Sequence, residues 1–131
     1  MNVYVPPVNS MSVDFDLADR LPCMDVGKWI VCGDWIAHNA CWYPFVESDT
    51  RGARLLDWCD DLGLHVVNDG SGTREDRGTG RMSVPDVSCG SLSDACDWSV
   101  HTGFTSDHLP DVIQFGDSVS AVASTFRMMW D

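Results

Sequence analysis

Lysine is almost absent from this chain. Lys28 and seven arginines face eighteen aspartates and two glutamates, leaving a net charge of −12. That balance excludes a simple basic-patch nucleic-acid module, which needs cationic surface to displace counterions from phosphates. Long apolar runs are also missing. None is longer than Trp29 to Cys32, a strand-sized run far from the ~20 residues of a membrane span. The first ten residues lack the basic region and apolar core of an export signal, so an intracellular protein, nuclear or cytoplasmic, is expected. No CxxC pair occurs, and His38-x-x-Cys41 has no second pair at zinc-finger distance. The six cysteines make an even number, yet without a secretion signal they read as reduced, buried thiols rather than a disulfide framework. There is no internal repeat and no low-complexity tract.

What remains is one domain at most: 131 residues, 44% of them apolar, enough to fill a single core. Six Trp, five Phe and two Tyr are too many for a disordered chain. Aspartate in this excess suits turns and helix caps, where the short side chain bonds nearby backbone, and it also suits hard-metal sites.

Alternation predicts a strand over residues 2–5, stopped by Pro6-Pro7, and a weakly periodic helix over 10–21. A short apolar strand follows over 28–32, ending at Gly33, then a long loop around Pro44. Asp49 or Thr50 caps a helix whose apolar face carries Leu55, Leu56, Trp58, Cys59 and Leu62, and Gly63 stops it. Further strands are expected over 64–67, 84–88, 98–101 and 111–115, with Val112 and Gln114 on one face of the last. The polar stretch 71–82 reads as a loop or irregular hairpin tip, and 117–131 as an unassigned tail, a short helix at most. Strands outnumber helices, which predicts a β-rich α/β layer rather than a bundle.

Three segments place polar groups directly after apolar strands: Gly33 to His38, Ser83 to Val87, and Thr105 to Pro110. Strand ends hold side chains more rigidly than free loops do. Aspartate, histidine and a second aspartate form a useful set, because carboxylates hold a divalent ion or orient water while an imidazole touches phosphate or moves a proton. Taken singly, each aspartate reads as a turn cap, and His38, His65 and His101 read as surface or packed histidines.

The order of the segments carries more than any one of them. Tyr4-Val5-Pro6-Pro7, Gly33 to His38 (GDWIAH), Trp42, Asp49 to Gly52, Leu55 to Trp58, Gly63-Leu64 to Asn68, Thr73-Arg74, Ser83 to Asp86, Trp98 to Val100 and Ser106 to Pro110 follow one another along residues 2 to 115. The series resembles the C-terminal half of an endonuclease/exonuclease/phosphatase domain, most of all the apurinic-type endonuclease domain of non-LTR retrotransposons. The resemblance implies a DNase I-like four-layer α/β/β/α sandwich, here partial, with the N-terminal half missing. On that reading residues 1–116 are the C-terminal half of the domain and 117–131 the tail. It also implies magnesium-dependent cleavage of a DNA phosphodiester.

Carried over motif by motif, Asp34 orients or activates the attacking water, His108 contacts the scissile phosphate, and Asp86 holds His108 by a hydrogen bond. Asp107 is the metal-side carboxylate, and Arg74 is a substrate contact, with Arg77 and Arg81 in the same loop. Two departures count against activity. The family's GDFN asparagine is Ile36 here, which removes an amide donor near the phosphate, a loss worth about 10²–10³ in rate. The absent half also carries further metal and phosphate ligands, and without it the exposed sheet edges are covered by the tail after Gly116 or by pairing, as a homodimer or with a missing-half partner, or else the chain is a decaying, poorly stable fragment. The rival readings are a non-catalytic remnant that binds or dimerises, and a small metal-binding protein built on His38, Cys41 and nearby aspartates.

Overall fold

The computed structural model describes residues 2–4, 30–91, 96–103 and 105–115. The helix expected over 10–21 and the tail from 117 lie outside them. The central element is a four-stranded mixed sheet in the order β1 (Asn2–Tyr4), β2 (Ile30–Asp34), β6 (Asp86–Gly90) and β3 (His65–Val66). β1 runs parallel to β2, while β6 is antiparallel to both β2 and β3. A hairpin of β4 (Arg74–Asp76) and β5 (Arg81–Ser83), and a pair made of β7 (Cys96–Val100) and β8 (Asp111–Phe115), stand beside it. The strand-dominated α/β class is the expected one.

Three local departures have physical causes. β2 does not stop at Gly33, because strands pair with it on both sides: Gly33 lies opposite Val3 and Val87. β6 starts two residues later than expected, at Asp86. Pro85 has no N–H for the ladder, and its carbonyl instead accepts Trp35 N at 2.9 Å. The polar 71–82 stretch makes a true hairpin, its turn closed by Asp76, whose Oδ1 accepts Gly78 N and Thr79 N at 2.8 and 3.0 Å. On β8, Val112 and Gln114 do share a face, and it is the exposed one.

The single described helix, α1 (Thr50–Asp61), is capped by Asp49, whose Oδ1 accepts Gly52 N at 2.6 Å. It ends at Gly63, which takes φ +63°. α1 lays Leu55, Trp58 and Cys59 onto Val31, Trp35, Val87 and Cys89 of the sheet region. Trp35 is fully buried, its ring 5.8 Å from that of Trp58 and its Nε1 donating to Val87 O at 3.0 Å. A tryptophan gripped at both backbone and indole nitrogen immobilises the residue before it, Asp34.

Candidate active site

The β2–β6 register decides the site. Asp34 at the end of β2 sits directly opposite Asp86 at the start of β6. Like charges in that relation are destabilising in an ordinary sheet, so the pair marks a position kept for something other than stability. The loop carrying His108 is laid along β4. Glu75 N donates to Asp107 O at 2.9 Å, Leu109 N donates to Thr73 O at 2.7 Å, and Arg74 bridges His108 between them. This brings the imidazole between the two carboxylates. His108 Nδ1 meets Asp86 Oδ2 at 2.8 Å, and Nε2 lies 4.0 Å from Asp34 Oδ2.

Of the expected site residues, the structure gathers Asp34, Asp86 and His108, with donor atoms within 4.8 Å of one another. All three are half-buried at the sheet's end. Asp107 and Arg74 are not in that cluster but in each other's grip, Arg74 Nε to Asp107 Oδ2 at 3.0 Å. This hydrogen bond holds the Asp107 carboxyl below its ordinary range. Burial pushes the Asp86 carboxyl up, against the lowering influence of His108 and of a hydrogen bond with Thr73. His38 Nδ1 is bonded to Asp49 Oδ2 at 2.8 Å, and Cys41 is exposed. Among the described residues, neither belongs to a three-ligand group.

Whether a cation suits the cluster is answered by one atom. Asp34 Oδ1 is buried and has no hydrogen-bond partner. A carboxylate oxygen in that state carries a large desolvation cost unless it meets a donor or a metal. With Asp86 Oδ2 and His108 Nδ1 engaged with each other, Asp34 is the carboxylate that fits a divalent ion, with water completing the shell.

Two residues assigned no role from the sequence turn out to set the site. Thr73, fully buried, accepts Asp86 N on its Oγ1 at 3.2 Å and passes its own backbone N–H to Ser83 O at 2.9 Å. Asn68 donates Nδ2 to Asp86 O at 3.1 Å and accepts Ser88 N at 2.8 Å. Both belong to the ordered motif series, and Asn68 carries one further signal in the sequence, a polar residue directly after the strand expected over 64–67. Ile36 takes φ +46°, the single positive φ among described non-glycine residues. A β-branched side chain is a poor occupant of the left-handed region, which asparagine tolerates well. Arg51 Nη1 holds this turn from beneath, donating to Trp35 O and Ile36 O at 3.2 and 3.3 Å.

A family model described as endonuclease–reverse transcriptase matches residues 1–112. The chain belongs to this family. Its fold is similar to a solved structure, the endonuclease domain of TRAS1, a telomere-specific non-LTR retrotransposon. The match has a TM-score of 0.57 and 29% identity, over 65% of this chain and 42% of that one. The chain thus spans less than half of the domain it resembles. A comparison with curated proteins returns no match. The DNase I-like architecture and the retrotransposon-endonuclease kinship agree with the motif order. No helix among the described residues is long and apolar enough to cross a membrane.

Proposed function

We propose that this endonuclease-family chain carries catalytic residues of a magnesium-dependent, DNA-nicking phosphodiesterase, and that Ile36 lowers its rate. The convergence of Asp34, Asp86 and His108 around an unpartnered buried carboxylate oxygen carries the reading. A water between Asp34 Oδ2 and His108 Nε2, 4.0 Å apart, can hydrogen-bond both. Asp34 takes the proton of that water as its oxygen bonds phosphorus and the leaving oxygen departs, to be protonated from solvent. His108, anchored through Nδ1, turns Nε2 toward the phosphate and, when protonated, stabilises charge on it.

Magnesium would be held by Asp34 Oδ1 and supplies charge neutralisation at the phosphate. Its shell would be completed by water or by a second polypeptide segment, such as another copy or the rest of such a domain. Asp107 joins the shell only by giving up Arg74, whose guanidinium is then available to a phosphate.

Ile36→Asn is the decisive variant. It is expected to raise magnesium-dependent nicking of supercoiled plasmid by about 10²-fold, through the restored amide donor. It is also expected to raise the melting temperature, since asparagine tolerates the left-handed φ at position 36 better than isoleucine by about 1 kcal/mol. The control is His108→Ala in both backgrounds. If none of the proteins nicks above that control, the active-enzyme reading fails. The second reading, a non-catalytic remnant that binds or dimerises, then takes its place, with Ile36 as the observation in its favour.

A further inference from the structure

Two side-chain hydrogen bonds join β6 to the short stretch of chain that carries His108, and the motif series contains only the first. That one is Asp86 Oδ2 with His108 Nδ1 at 2.8 Å. The second is Ser88 Oγ, which donates to Asp111 Oδ2, also at 2.8 Å. Strand alternation puts Asp86 and Ser88 on one face of β6, opposite Asp34 and Cys32 of β2. Asp111 opens β8, three residues after His108. The two bonds are therefore neighbouring rungs between the same two pieces of chain.

The β6 side of the rungs is firmly held. Asn68 grips it at both places, donating to Asp86 O at 3.1 Å and accepting Ser88 N at 2.8 Å, and Ser88 is buried. The His108 side is tied to less. Its backbone bonds run to Thr73 and Glu75, at the root of a hairpin whose residues are mostly exposed. His101 N donates to Pro110 O at 2.9 Å and Val100 pairs with Asp111, which closes the loop onto β7 rather than onto β6. Asp111 reaches the strand that bears Asp86 directly. Its Oδ2 also accepts Trp98 Nε1 at 3.2 Å, which fixes the carboxylate from the β7 side.

An acid is a costly occupant here. Val112 and Gln114 are exposed, so position 111 shares the inner face of β8 with Ile113, where an aliphatic side chain would be buried without desolvating a charge. Apolar contact is non-directional, however, and lets one segment slide on another. A carboxylate that accepts from a buried hydroxyl and an indole N–H fixes a position along the strand, and its charge strengthens both bonds.

We infer that Asp111, acting through Ser88, is a positioning residue for His108: the Ser88–Asp111 rung sets the register at which the imidazole meets Asp86. Without the rung the segment is free to shift along β6, and a displacement of about 1 Å is enough to cost about 10² in rate. This deepens the nuclease reading and rests on it.

The test compares Ser88→Ala and Asp111→Ala with Trp98→Phe, which deletes the other donor to the same carboxylate and leaves the rung. In the Ile36→Asn background, each alanine variant is expected to lower kcat for plasmid nicking about 10- to 10²-fold with KM unchanged. The double variant is expected to be no worse than the worse single one, because both remove one interaction. Trp98→Phe is expected to keep the kcat of its parent even where its melting temperature falls as far as that of Ser88→Ala. Asp111→Asn keeps a carbonyl acceptor for both donors and is expected to retain the rate. Ser88→Ala removes a single oxygen atom and carries the comparison if Asp111→Ala does not fold.

A second readout needs no catalysis. Proton–nitrogen NMR of the full chain, with His108→Ala assigning the ring, is expected to show one hydrogen-bonded Nδ1 proton in the parent and an averaged signal in Ser88→Ala. Unchanged kcat in Ser88→Ala, an equal loss in Trp98→Phe, or an unmoved His108 signal overturns the inference. Failure of the nuclease reading looks different: no protein nicks above the His108→Ala control, and the Ser88-dependent change in the His108 signal persists.

Discussion

In the Ile36→Asn background, Asp86→Asn is expected to lower nicking by about 10²–10³-fold while the melting temperature stays level or rises at neutral pH. The two halves of this expectation come from the same carboxylate. For the rate, Asp86 Oδ2 is the acceptor that fixes His108 Nδ1 as the hydrogen-bearing nitrogen, at 2.8 Å. An amide at that position can turn its NH₂ toward the ring, reversing the tautomer, and it no longer supplies the negative charge that balances an imidazolium facing the phosphate.

For stability the sign is opposite. Burial raises the Asp86 carboxyl above its ordinary 3.8, an effect that outweighs the help of His108, and the Asp34 charge opposite adds to it. A carboxyl with a raised folded value holds its proton longer in the folded state than in the unfolded one. Its contribution to stability is therefore fully present below 3.8 and is lost as pH rises through the raised value. Asparagine removes that loss. The melting temperature of Asp86→Asn relative to its parent should accordingly increase from acid to neutral pH. Thermal melts at both pH values, with plasmid nicking alongside, separate the outcomes. Undiminished nicking would take Asp86 out of the site, and a parallel fall in melting temperature would make its role structural.

That separation of rate from stability also explains which parts were legible in the sequence. α1 was readable from the Leu55, Cys59, Leu62 spacing and its Asp49 cap, because helix formation is decided locally. β8 was readable by alternation. β6 was misplaced by two residues, because the Pro85 carbonyl goes to Trp35, some fifty positions away, and no local pattern reports that. The β4–β5 hairpin is exposed on nearly every residue, so it has no apolar face for periodicity to find. The motif order named Asp34, Asp86 and His108, which the structure gathers, but it could not show that Arg74 and Asp107 occupy each other. Thr73 and Asn68 escaped for a related reason: their work is done by long-range hydrogen bonds to Asp86. The positive φ at position 36 was invisible, since isoleucine advertises the opposite preference.

Gly52→Ala is expected to unfold the domain or to cost it at least about 3 kcal/mol. Helix propensity alone argues the other way, since alanine is favoured over glycine inside a helix by about 1 kcal/mol. The packing overrides it. Gly52 is buried in the first turn of α1, and a Cβ there would fall inside the backbone carbonyl of His38. Backbone cannot rotate aside as a side-chain tip does, and this carbonyl is also committed, accepting Asp49 N at 2.9 Å. Asp49 in turn caps α1 and bonds His38 Nδ1, while Arg51 holds the carbonyls of Trp35 and Ile36. Residues 49–52 thus clamp the segment leaving Asp34, and displacing His38 strains the clamp next to the site. Gly63→Ala supplies the comparison: its Cβ meets nothing within 4 Å, and only its φ of +63° opposes substitution, for about 1 kcal/mol. Urea unfolding of the two variants side by side should show Gly52→Ala far the worse. Equal costs would mean that the entry to α1 has room to slide, and that the Asp49 to Gly52 motif caps a helix without bracing the loop that leaves Asp34.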